Sequence, residues 1–142
     1  MSKSDVFEND LLKLIFQATA IANLCDNASS SPLTNLFVAL HKGDPGDPGV
    51  QTTSEADYGA YARVAVARTT VGWTVATNTV TPAATISFPA STSGTNTVTH
   101  FSIGSSTTGA GKLFYSGTVT PNIVVTSGVT PQLTTASTVT ED

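Results

Sequence analysis

The stretch from Thr97 to Val119, TVTHFSIGSSTTGAGKLFYSGTV, decides the fold class. Thr97–Ile103 and Lys112–Val119 are written in Thr, Val, Ile, Phe and Tyr, which suit a pleated, half-buried surface. Thr108-Gly109 between them marks a bend. Strand, turn, strand is the texture of the whole second half. Further strand candidates are Tyr61–Thr70, Trp73–Val75, Thr79–Thr81, Thr85–Phe88, Ile123–Val125, Gln132–Thr134 and Thr138–Thr140. Ser93-Gly94, Pro121-Asn122 and Ser127-Gly128 separate them as turns, and Pro82, Pro89, Pro121 and Pro131 fall at strand ends or edges. Many short strands so punctuated predict a mainly β fold: a single β-sandwich or small, jelly-roll-like barrel.

Upstream of this half the pattern changes. Residues 4–24 read as one N-terminal α-helix. Ser4 or Asp5 can cap it, and Asp5 with Glu8 resembles a capping box. Phe7, Leu11, Leu14, Ile15 and Ala18 recur at helical spacing, while Leu12 and Phe16 project on the opposite side. A helix apolar on two sides wants two partners. Its own β domain supplies one, and a second subunit or a loop of the same chain, residues 25–33, supplies the other. The predicted division is residues 1–34, helix and connector acting as an interface arm, and residues 35–142, the β domain. Asn35–His41 reads as a strand buried on both faces. The tandem Asp44-Pro45-Gly46 and Asp47-Pro48-Gly49 then predict a tight-turn loop, and Gln51–Gly59 reads as polar and exposed.

Composition narrows the chemistry. Of 142 residues, 11% are charged and the net charge is −4, against about a quarter charged in an ordinary soluble domain. From Thr69 onward only Lys112, Glu141 and Asp142 carry charge. No basic face exists to hold nucleic acid. The apolar run Leu11–Leu24 is too short and too interrupted to span a bilayer. The first residues lack the basic region of a signal peptide, so synthesis and folding in a cytoplasm are expected.

No reactive constellation emerges. Cys25 stands alone, without the second thiol a disulfide needs, and reads as incidental rather than as a nucleophile paired with His41 or His100. Asp44, Asp47 and Asp57 lack the spacing of a helix–loop–helix calcium site and read as turn residues. The second half holds no carboxylate pair for glycoside hydrolysis. No catalytic residue, metal or cofactor is therefore expected. Arg63 and Arg68 stand out in neutral surroundings and are expected to pair with acids of the first half, with the Glu141-Asp142 terminus, or with a partner. The expected protein interface is Phe7, Leu11, Leu12, Ile15, Phe16, Arg63 and Arg68.

Several segments, in consistent order, carry a family likeness: Ser4–Leu12, Leu36–His41 running into Asp44-Pro45-Gly46, Tyr61–Val64, Ile86–Pro89, Val98–Ile103, Leu113–Gly117 and Thr138–Asp142. Through them the chain resembles a family of small tailed-bacteriophage virion proteins of the tail-fibre-like or minor structural kind. Ala18–Thr34 departs from the pattern, being longer than the short Gly-containing link expected there. The resemblance implies a non-enzymatic virion component made in the host cytoplasm. The first expectation is a capsid cement protein on the outer capsid surface, a homotrimer whose partner is the major capsid protein, with no nucleic acid or membrane bound. The alternative is a tail-fibre or tail-tip component contacting host glycans, with Tyr58, Tyr61 and Trp73 as candidate contacts.

Overall fold

A computed structural model describes residues 5–21 and 32–141, without the side chains of Asp5 and Phe7. The expected cap at Ser4, the Phe7 contact, Cys25 and Asp142 lie outside what is described. The elements, in order, are α1 (Asp5–Gln17), β1 (Asn35–His41), β2 (Val64–Ala67), β3 (Trp73–Ala76), β4 (Thr79–Pro82), β5 (Ile86–Ser87), β6 (Asn96–Gly104), β7 (Leu113–Val125), β8 (Gln132–Leu133) and β9 (Val139–Thr140). The chain is mainly β with one N-terminal helix, in the sandwich-like class. Its sheets have the orders β2-β1-β6-β7, β3-β4-β9 and β5-β8. None closes into a barrel among the described residues, so the barrel alternative falls away.

The chain forms two compact units, each drawn from separate segments: 1–35, 67–85 and 133–142 in the first, 36–66 and 86–132 in the second. The sequence reading drew one boundary, at residue 34.

In the first unit, α1 packs against β3 and β4. The buried side chains of the helix are Glu8, Leu12 and Phe16, spaced four apart and so on one face. Leu12 and Phe16 are 0% exposed, and Phe16 meets Trp73 edge-on with ring centroids 4.8 Å apart. Leu11, Leu14 and Ile15 are only half-buried. This corrects the expectation that Leu12 and Phe16 await a second subunit: both are fully buried within the chain, where α1 packs on β3 and β4 and Phe16 meets Trp73, more than 50 residues away in sequence. Each contributes about 1.5–3 kcal/mol by leaving water. The helix ends where Ala18 turns to a left-handed φ of 55° and the Thr19 amide closes on the Lys13 carbonyl at 3.1 Å.

Arg68 supplies what this helix end lacks. The last turn has no basic residue. The buried Arg68 guanidinium donates to the Leu14 and Ile15 carbonyls and, at 3.3 Å, to Leu33 O. A cation on the last carbonyls satisfies orphan acceptors and faces the negative end of the helix dipole. A residue expected at an interface is therefore a helix cap inside the unit.

In the second unit, β1 sits between β2 and β6, and Leu36, Val38, Ala39, Leu40 and His41 are all buried. A central strand covered on both faces needs such a continuous apolar run. β6 pairs antiparallel with β1, Leu40 opposite Phe101 and His41 opposite His100. β7 joins two runs expected as separate strands. The expected Pro121-Asn122 turn is instead a bulge: Val98 faces Ile123 but His100 faces Thr118, so β7 carries extra residues there. β7 lies at the sheet edge, where a proline costs no ladder bond.

Candidate functional site

The polar groups of the second unit converge beneath the loop joining β6 to β7, residues 105–112. Arg63, just before β2, grips Glu55 with two parallel bonds, Nε to Oε1 at 2.7 Å and Nη2 to Oε2 at 2.8 Å. The same guanidinium donates to Ser106 O and Gly109 O, each at 2.8 Å. Its side chain is only 3% exposed. Arg63 was expected as an interface residue, and its pairing as a surface one. It is instead a buried fork binding an acid of the first half and the loop backbone. Removing one partner of such a pair typically costs about 3–5 kcal/mol.

Gln51 holds the loop from a second point. It is 0% exposed. Its Oε1 accepts the Ser106 amide at 2.9 Å, its Nε2 donates to Phe37 O, and its own amide donates to Gly111 O. Two glycines make room: a Cβ on Gly104 would lie 2.3 Å from Gln51 Cδ, and one on Gly111 2.1 Å from Gln51 Oε1. The expectation that Gln51–Gly59 is exposed fails at Gln51, Ala56 and Tyr58, all buried.

Tyr61 and His41 extend the cluster into the sheet. Tyr61 Oη donates to Glu55 Oε1 and accepts the Leu40 amide, both at 3.0 Å. Burial pushes its phenol well above the usual range. His41 Nδ1 lies 2.8 Å from Thr53 O, which can only accept, so Nδ1 carries the proton and Nε2 accepts from Ser102 Oγ at 2.7 Å. Burial lowers the imidazole pKa from its ordinary value. A hydroxyl hydrogen-bonded to an imidazole matches half of a nucleophilic triad. Here both side chains are 0% exposed, and Nδ1 faces a backbone carbonyl rather than a carboxylate. The pair bridges the 50s segment to β6 and stands away from solvent.

The outer side of this arrangement is the loop tip. Thr107, Thr108, Gly109, Ala110 and Lys112 are exposed, and Gly109 takes a φ of 74° with open space around it. Loops that bind are those a rigid scaffold positions. This loop is clamped at Ser106, Gly109 and Gly111, and it presents two hydroxyls and an ammonium outward. It can offer hydrogen bonds to a polyhydroxylated or carboxylated surface.

The other expected contacts fall elsewhere. Trp73 and Tyr58 are each 2% exposed, and Tyr61 is half-buried with its hydroxyl engaged. The three offer no stacking platform. Asp44 Oδ1 accepts the Gly46 amide at 2.9 Å, and Asp57 pairs with Lys42 at 2.7 Å. Among the described residues no group of three or more His, Cys, Asp or Glu is placed to hold a metal ion. Gln51 and Glu55 were missed in the sequence because their segment looks polar. The available signal was Arg63 itself, a guanidinium eight residues from Glu55 in a stretch otherwise poor in charge.

Residues 2–140 match the family described as Podophage GP4 fiber I protein gp80. No curated protein matches the chain.

Proposed function

We propose, from the premise that this chain belongs to the Podophage GP4 fiber I protein gp80 family, that it is a non-enzymatic component of a phage fibre and meets host-surface glycans through the 105–112 loop. The family match, which covers nearly the whole chain, carries the fibre reading. The clamp of Arg63 on Ser106 O and Gly109 O carries the choice of loop. A loop already held in one shape loses little entropy on binding. The cement reading, a homotrimer on the major capsid protein at the outer capsid surface, draws less support, because the family is a fibre family and no described residue favours a capsid lattice.

The test is competition. Purified full-length protein, added to susceptible cells, is expected to slow adsorption of the phage. The triple variant Thr107→Ala, Thr108→Ala and Lys112→Ala, all at exposed positions, is expected to lose most of that effect while keeping its circular dichroism. Equal competition by the variant would remove the loop from the proposal. No competition by the wild-type protein would remove the host-contact role.

A further inference from the structure

We infer that a groove along the flank of α1, walled on its other side by the tip of the β3–β4 hairpin, binds one neutral sugar ring of a host-surface polysaccharide. The groove measures about 360 Å³ and is lined by Val6, Asn9, Asp10, Lys13 and Thr77. All five belong to the first unit, whereas the 105–112 loop belongs to the second. The four helix residues lie three, four and seven apart and so share one face. The face bearing Leu12 and Phe16 is used up in the core; this one is not. Val6 is 73% exposed. Asn9, Asp10 and Lys13 are half-buried, and among the described residues their side chains make no hydrogen bond or ion pair.

The groups on offer define the ligand. A carboxylate only accepts, an ammonium only donates, and a carboxamide does both. The hydroxyl is a single group that answers all three. A ligand with net charge of either sign would meet one like charge, at Asp10 or at Lys13, so a neutral polyhydroxylated ring fits best. The Val6 methyls give its C–H face an apolar seat. Small-molecule sites run from about 300 to 1,000 Å³, and a groove at the low end suits one ring rather than several.

Thr77 is the second observation. Ala76 faces Thr79 across the hairpin, which leaves Thr77 and Asn78 as a two-residue turn. Thr77 takes a φ of 53°. Such turns place glycine, Asn or Asp where φ is positive, and a β-branched residue there is an outlier. Glycine would relieve the strain, whereas threonine keeps a methyl and a hydroxyl at the groove wall. Backbone strain of this kind gathers where a side chain has a task. The tip is also held in place: Asn78 O accepts the Glu141 amide at 2.9 Å, and Asn78 Nδ2 donates to Glu141 O at 3.1 Å. A wall fixed beforehand loses little entropy on binding. The inference takes from the fibre reading only the source of the sugar.

Nuclear magnetic resonance tests it. Isotope-labelled full-length protein is titrated with the methyl glycosides of glucose, galactose, mannose and N-acetylglucosamine. At least one is expected to shift the amide signals of residues 6–13 and 76–79 in a saturable way. Asp10→Ala is expected to weaken that binding about tenfold, the loss of one hydrogen bond to a charged group, while the β6 signals stay in place. Thr77→Gly is expected to raise the thermal midpoint and to weaken the same binding, a pairing that a merely tolerated threonine would not give. No shift at these residues with any of the four sugars overturns the inference. So does undiminished binding by Asp10→Ala, or a Thr77→Gly chain that binds as tightly as the wild type. Adsorption to cells is not read, so failure here leaves the fibre reading standing.

Discussion

His41 shows at the residue scale how polar groups are placed in this chain. Its imidazole is sealed between Thr53 O and Ser102 Oγ, with Glu55, Arg63 and His100 as charged or titratable neighbours. Burial is the largest influence and holds the pKa below the ordinary 6.5. The unfolded chain therefore takes up a proton near pH 6.5 that the folded chain resists. Stability is full above that pH and falls as pH drops below it. The thermal midpoint is expected to fall between about pH 7.5 and about pH 5.5 in the wild type, and His41→Gln is expected to reduce that fall. Equal slopes in the two proteins would show that His41 is not the group responsible. Little of this was legible beforehand: His41 ends an apolar run, but its partner Ser102 is 61 residues on, beyond any local pattern.

At the element scale the strands were the most legible feature. Apolar and hydroxyl residues alternate between turn residues, and every expected strand of the second half has an observed counterpart. Helix orientation was not legible, because α1 is apolar on two sides. Leu11, Leu14 and Ile15 make the larger stripe, yet Leu12 and Phe16 enter the core because Trp73 meets the helix on that side. The Pro121-Asn122 turn fails for a related reason, although Pro121 does lie on an edge strand as expected: proline marks turns in general, and only the β6 register shows the strand continuing past it. Leu12→Ala is expected to destabilise the protein by about 2–5 kcal/mol, measured by urea unfolding. A change below about 0.5 kcal/mol, the scatter of ordinary surface substitutions, would mean that α1 does not pack as described. Aspartates at Leu12 and Phe16 would break this packing, so they make poor probes of an interface.

For the whole molecule, the family match points to a phage structural protein, and the β-rich fold is consistent with it. The candidate loop was only half visible in the sequence. Thr108-Gly109 announced a turn, but nothing local announced that Arg63 and Gln51 would clamp it from beneath. A fibre component should be scarce beside the lattice protein. Quantitative mass spectrometry of purified virions is expected to find a small fraction of the copy number of the major capsid subunit, and a ratio near one would restore the cement reading.

The interleaving of the two units reaches beyond stability. The chain passes between them after residues 35, 66, 85 and 132. A nonsense or frameshift mutation anywhere before residue 133 therefore removes part of the first unit, including β9, and most such lesions injure both. Recombination that imports a contiguous segment from a relative faces the same difficulty, since no single crossover exchanges one unit intact. Point changes at exposed tips such as Thr107 and Thr108 escape this constraint, because those side chains belong to the core of neither unit.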